Sequence, residues 1–381
     1  MIIGIDGNEA NVKNRVGVNT YAYELLKNLR KLQDEWKDKH KLIVYLKDNP
    51  IEDMPEESEF FKYKIIKGGG AWILTKLMPD LIFTKPKCDI FFSPSHYVPL
   101  IVSIPRICSI MDLGYLEYTE QFRKKDIWQL KIWTAISIYI SKAIIAISNS
   151  TKADIVRHYP SAKDKVYVTS LAYDPTKFNL RISSEDVRRV RDRYSIVSDY
   201  VLYLGTLKPS KNIEGLVAAF SRIKNIDSGL KLVIAGKKGW LFDSIFRKVK
   251  ELNLEERVIF TDFVDERDKP ALIKGAKVFV LPSFWEGFGL DALNAMACGV
   301  PVVASNVGSL PEVVGDAGIL VDPKNIDSIA GGIEKVLLAP ITKYNSMVEK
   351  GLAQAKKFSW EKVARETLKV IENVKRNLQS N

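Results

Sequence analysis

Pro282-Ser283-Phe284-Trp285-Glu286-Gly287-Phe288-Gly289-Leu290-Asp291-Ala292-Leu293-Asn294-Ala295-Met296-Ala297-Cys298-Gly299-Val300-Pro301 is the stretch on which the fold turns. The apolar run before it, Ala276 to Leu281, predicts a buried strand. A glycine-rich turn follows, then an apolar-periodic helix stopped by Gly299-Val300-Pro301, then a second buried strand from Val302 to Ala304. Strand, glycine turn and helix make an anion site, because backbone N–H groups and a helix N-terminus converge at the carboxyl edge of a parallel sheet. Glu286 stands just before the helix, and Gly287 and Asn294 lie about two turns apart, on one side of it. From spacing alone, an ordinary βαβ unit with a glycine at its helix start would read the same.

Working outward, strand-like runs alternate with helix-like stretches along the whole chain, the pattern of parallel sheets covered on both faces. The first half predicts strands at Ile2–Ile5, Leu42–Leu46, Lys64–Ile66, Asp89–Phe92, Arg106–Ile110, Ala143–Ile147 and Val166–Thr169. Helices are expected near Asn19–Leu32, Ile127–Lys142 and Asn149–Tyr159. Leu171 to Pro175 reads as a linker, followed by a charged helix, Glu185–Arg193, and a restart of the alternation at Tyr200–Leu204. The acidic run Glu52 to Glu59 reads as a solvated loop.

The central stretch resembles the nucleotide-sugar motif of the family 4 retaining glycosyltransferases (glycosyl transferases group 1), which have the two-domain GT-B fold. The resemblance extends through Tyr200–Asn212, Leu232–Trp240, Arg257–Phe260 and Ser309–Ala317, and more weakly through Ser148–Lys152 and Asp6-Gly7. It implies an α/β protein of two facing Rossmann-like, doubly wound domains. Residues 1–174 would form the acceptor-side domain and 175–359 the nucleotide-sugar domain, with a last helix in 360–381 returning to the first.

The chain has 381 residues and a formal charge of +11, with the excess spread over both halves. That argues against a nucleic-acid stripe and is compatible with weak attraction to anionic lipid or phosphorylated substrates. No basic n-region precedes the first strand, so no secretory leader is expected. No apolar run approaches the ~20 residues of a membrane helix. Cys88, Cys108 and Cys298, with His40, His96 and His158, are scattered without ligand spacing. A reducing cytoplasmic setting and no metal are expected, with peripheral contact at the inner membrane face left open. Phe122 to Lys142, rich in Ile and Trp with Arg123, Lys124, Lys125 and Lys131, fits either a membrane-surface helix or a buried domain helix, and burial is the expectation.

Breaking a glycosyl–diphosphate bond calls above all for stabilising negative charge on the leaving diphosphate. Lys211, six residues after Gly205 and at the start of a helix, suits that role, though a solvated loop lysine would look similar. The resemblance places Gly205 and Thr206 near the diphosphate, and Ser210 where the family usually has Arg, with Lys208 as a substitute cation from the same loop. It implies that Gly17, in Arg15-Val16-Gly17-Val18-Asn19, approaches the phosphates from the other domain. Glu286 matches the glutamate assigned to the donor sugar's hydroxyls, with Gly287, Phe288, Gly289 and Leu290 completing the turn. Asn294 replaces the ribose-binding glutamate, Asp291 stands where Pro is frequent, and Asp262, before Phe263, stands where Gly near the base is frequent. Met111-Asp112 matches a His-Asp pair with its histidine replaced. Asp112 would orient a sugar hydroxyl or cap a turn, and His96 would face the acceptor or be structural.

The expected activity is retaining, metal-independent transfer of a hexose from a nucleotide-diphosphate sugar to a saccharide or lipid-linked acceptor in cell-surface glycan synthesis. No cofactor beyond the co-substrate is expected, and no nucleic-acid partner. The alternative is a catalytically weak relative that binds a nucleotide or glycan, motivated by the replacements at Met111, Ser210 and Asn294.

Overall fold

The computed structural model describes residues 1–117, 124–223 and 229–379, apart from the side chains at 124–127 and 129. Phe122, Arg123 and the side chains of Lys124 and Lys125 therefore lie outside the described residues. Two compact units emerge, one of Met1–Leu171 with Trp360–Asn381, the other of Ala172–Ser359. The division falls after Leu171, a little before the expected Asp174.

The first unit holds β1 (Ile2–Asp6), β2 (Lys41–Leu46), β3 (Phe61–Ile65), β4 (Ile90–Ser93), β5 (Arg106–Ile110), β6 (Ala143–Ala146) and β7 (Val166–Val168). The second holds β8 (Tyr200–Leu204), β9 (Lys231–Ala235), β10 (Val258–Asp262), β11 (Val278–Leu281), β12 (Val302–Ser305) and β13 (Ile319–Val321). The helices used below are α1 (Val18–Lys31), α2 (Lys124–Ile140), α3 (Asn149–His158), α4 (Ser184–Arg193), α5 (Ile213–Arg222), α6 (Leu290–Ala297) and α7 (Trp360–Gln379).

Both sheets are parallel, in the orders β3-β2-β1-β4-β5-β6-β7 and β10-β9-β8-β11-β12-β13. Strands β4, β6, β8, β11 and β12 are buried at every residue, as strands covered by helices on both faces must be. The winding reverses between β1 and β4 in one sheet and between β8 and β11 in the other. Loops leaving the two strands at such a point diverge, which opens a crevice at the carboxyl edge. Gly17 and His96 belong to the loops after β1 and β4, and Lys211 and Glu286 to those after β8 and β11.

Helix α7 packs on the first unit. The Trp360 ring lies 6.4 Å from Tyr21 of α1, Arg365 forks onto Glu35, and Lys375 reaches Asp89 at 2.9 Å.

Two expectations are corrected. Strand β3 begins at Phe61, not Lys64, because Phe61 is fully buried and pairs with Leu42, while Lys62 and Lys64 interrupt the apolar pattern of an edge strand. Helix α2 is not buried all round: Trp128, Ile132, Ile136 and Tyr139 face solvent, and Thr134, Ser137, Ile138 and Ser141 face the core. Ile and Trp fall on nearly every face of α2, so periodicity could not mark which face was covered.

Candidate active site

At the carboxyl edge of the second sheet the chain leaves β8 through Gly205 and returns to a helix at α5. Asn212 controls this loop. It is buried, sits in the left-handed region at φ 53°, and its Nδ2 donates to the carbonyls of Pro282 (3.1 Å) and Pro323 (2.6 Å). Ser210 is buried beneath, its carbonyl accepting from Phe284 N–H at 2.8 Å. These bonds fix the loop after β8 against the turn after β11.

Lys211 and Glu286, 75 residues apart in sequence, meet there. The Lys211 Nζ lies 2.5 Å from Glu286 Oε1, and Ser283 Oγ donates to the same oxygen at 2.7 Å. Both side chains are mostly shielded, at 17% and 12% exposed, so their attraction is less screened than that of a surface pair. The Glu286 carbonyl accepts from Ser309 N–H (3.2 Å) and Ser309 Oγ (3.0 Å). Gly308, at φ 60°, allows that approach: a Cβ there would stand 2.7 Å from the same carbonyl oxygen. Gly289, at φ 93°, starts α6, and Phe288 is buried with its ring edge-on to Phe358 at 5.8 Å.

Asn294 is 4% exposed, on the face of α6 that carries Asp291 one turn earlier. Its Nδ2 donates to Asp291 Oδ1 at 3.4 Å, and its Oδ1 has no hydrogen-bond partner among the described residues. Burial raises the Asp291 pKa, with Lys269 and Lys211 opposing. Burial likewise lifts Tyr203 well above the ordinary phenol value, with Glu286 and Asp291 adding to the effect, and its hydroxyl points to the Thr206 carbonyl at 3.4 Å. Lys208 lies over the Trp240 ring at 5.4 Å. Asp262 has φ 54°, a conformation that favours glycine, beside exposed Phe263.

In the first unit, Gly17 (φ 52°) starts α1, behind a loop anchored by Arg15, whose guanidinium forks onto Asp53 and lies 3.6 Å over Tyr23. The His96 ring lies 3.9 Å from that of Tyr97, tilted at 43° to it, and Tyr97 meets Trp133 of α2 edge-on at 5.5 Å. Burial lowers the His96 pKa to about 4, so the ring is neutral near pH 7, and its Nε2 has no hydrogen-bond partner among the described residues. Asp112 Oδ1 accepts from Gly114 N–H at 2.9 Å, the turn-capping geometry, and the Met111 carbonyl accepts from Thr151 of α3 at 3.1 Å.

Sequence reading missed Asn212, Ser283, Gly308 and Ser309. The one local signal was Asn immediately before a helix. No cluster of three or more metal-ligating side chains occurs among the described residues, and no helix among them is long and apolar enough to cross a membrane.

The family model for glycosyl transferases group 1 matches residues 195–354, the span that holds Lys211, Glu286 and Asn294. The O-antigen chain mannosyltransferase B of Escherichia coli is 33% identical over 286 residues, which cover 73% of each chain. The serotype-specific mannosyltransferase WbdA of the same species is 30% identical over 318 residues, 81% of this chain but 38% of that longer protein. Sucrose-phosphate synthase from Thermosynechococcus elongatus superposes with a TM-score of 0.76 at 21% identity, covering 98% of both chains. Anabaena HepE in complex with UDP and glucose gives 0.73 at 17% identity over 98% of this chain and 99% of that one. At that identity the two structures speak for the fold alone. The chain belongs to the glycosyl transferases group 1, is built on the GT-B fold, and is a glycosyltransferase.

Proposed function

We propose that this glycosyltransferase moves a hexose, with retained anomeric configuration and without a metal ion, from a nucleotide-diphosphate sugar to a saccharide or lipid-linked acceptor. The observation that carries the proposal is the shielded Lys211–Glu286 pair at the carboxyl edge of β8 and β11. A diphosphate brought to this edge would draw the Lys211 ammonium from Glu286, freeing the carboxylate to accept from sugar hydroxyls. As the bond from the anomeric carbon to the diphosphate oxygen breaks, its electron pair and charge pass to the diphosphate, where Lys211 and the backbone N–H groups of the Gly205 and Gly289 turns stabilise them. The acceptor oxygen bonds to the anomeric carbon from the departing side, and its proton passes to a phosphate oxygen. Asn294 and Asp291 would meet the ribose, Asp262 and Phe263 the base, and Gly17 the phosphates. Neutral His96, with Met111 and Asp112, would meet the acceptor. The mannosyltransferase names of the relatives favour mannose as the hexose and surface glycan synthesis as the process.

A second reading has its own support: Asn294 with an unpartnered carbonyl, Ser210 and Met111 replace family groups, which fits a nucleotide or glycan binder with weak turnover. Proton NMR of the anomeric signal, with a panel of α-linked nucleotide sugars and oligosaccharide acceptors, tests both. An α-linked product supports the proposal. A β-linked product overturns retention, and nucleotide-induced thermal stabilisation with no transfer favours the second reading.

A further inference from the structure

We propose that the solvent face of α2 is a docking surface for an anionic lipid bilayer. Among the described side chains of this helix, the large apolar ones that are exposed are Trp128 (69%), Ile132 (49%), Ile136 (37%) and Tyr139 (77%). At about 100° per residue they fall in one stripe roughly 80° wide along the helix. On the opposite face Thr134, Ser137, Ile138 and Ser141 are buried, each at 2% exposure or less. Hydroxyl groups thus point to the core and the bulky apolar groups to solvent, the reverse of a water-facing helix. An indole and a phenol toward the two ends of the stripe suit the headgroup level, where an apolar ring body and a polar tip are both satisfied.

Charge selects the occupant. Lys131 is exposed on the helix, where the same angular count puts it along one border of the stripe, and Lys142 is exposed just beyond the helix end. Lys165 joins that end, donating to the carbonyls of Tyr139 (3.0 Å) and Ser141 (2.9 Å). Burial lowers the Lys165 pKa, with Cys108 opposing and the neighbouring Lys142 adding a smaller effect. With a chain charge of +11, an anionic headgroup layer is the complement to this border.

The same helix carries Trp133, whose ring meets Tyr97 beside His96. A bilayer under α2 would therefore lie close to the residues assigned to the acceptor, which favours the lipid-linked acceptor over a free saccharide. That last step rests on the glycosyl-transfer reading; the docking does not.

Co-sedimentation tests it, using vesicles of equimolar phosphatidylcholine and phosphatidylglycerol against phosphatidylcholine alone. Wild type should bind the anionic vesicles and be released by salt. Trp128→Ser with Tyr139→Ser should weaken binding about tenfold or more with the melting temperature maintained, and Lys131→Gln should weaken it about fivefold. Failure of wild type to bind, or undiminished binding by the double variant, overturns the proposal. So does a wild-type dimer in sedimentation velocity that the double variant abolishes, since a second copy would then be the occupant. Nucleoside diphosphate release, measured without vesicles, is independent of each of these outcomes and reports on the transfer reading separately.

Discussion

Asp6 ends β1 with its carboxyl buried, and burial raises its pKa from 3.8 to about 6, against two hydrogen bonds from Asn8. A raised carboxyl pKa means that the folded chain holds the proton more tightly than the unfolded one. The associated stability is present in full below about pH 4 and is lost as pH rises through about 6. Asp6→Asn should therefore stabilise the protein at pH 7 by on the order of 2 kcal/mol, with the gain gone near pH 4. His96 acts in the opposite sense: its pKa is depressed to about 4, so stability falls as pH drops from 6.5 toward 4. Subtracting wild type from variant in urea melts at several pH values isolates Asp6. Asn294 supports a second residue-level prediction. Asn294→Ala should weaken nucleoside diphosphate binding by about 1 kcal/mol, roughly fivefold. Asn294→Glu would set a carboxylate beside Asp291, whose pKa burial already raises, and so should bind no tighter than wild type. Adding Asp291→Asn should then restore a gain of about fivefold, read by calorimetry. Tighter binding by Asn294→Glu alone would show that Asp291 does not limit the site.

Among the elements, the loop from Gly205 to Asn212 depends on one side chain. Asn212→Ala removes both bonds that tie it to Pro282 and Pro323 and leaves a Cβ residue in the left-handed region. A loss of about 3 kcal/mol is expected, checked by denaturant melts. A loss below about 1 kcal/mol would mean that the loop is held elsewhere. Elements were legible to very different degrees. The ends of β5 and β8 agree with those read from sequence, β8 because it is an unbroken apolar run between Asp199 and Gly205. The start of β3 was obscured by edge lysines, and the covered face of α2 by apolar residues on all sides. Periodicity reports contrast between faces, and a helix with large apolar groups outside and small hydroxyls inside presents the wrong contrast.

At the scale of the molecule, alternation predicted parallel sheets, and the resemblance supplied the two-unit architecture that the strand orders display. Lys211 and Glu286 could each be named from their motifs. Their pairing could not, since it depends on Asn212 bonding across the sheet edge, on Ser283, and on Gly308 admitting the Glu286 carbonyl. Such partners are set by tertiary contact and leave little local trace. Stabilisation of a leaving diphosphate at this edge, by a lysine ammonium and backbone N–H groups, underlies the transfer reading. It is tested most directly by nucleoside diphosphate release from a panel of nucleotide sugars in EDTA, wild type beside Lys211→Ala. Wild type should release the diphosphate from at least one donor, and Lys211→Ala should be slower by about a hundredfold or more with its melting temperature maintained. Release that EDTA abolishes and magnesium restores, or a Lys211→Ala variant as fast as wild type, would contradict it.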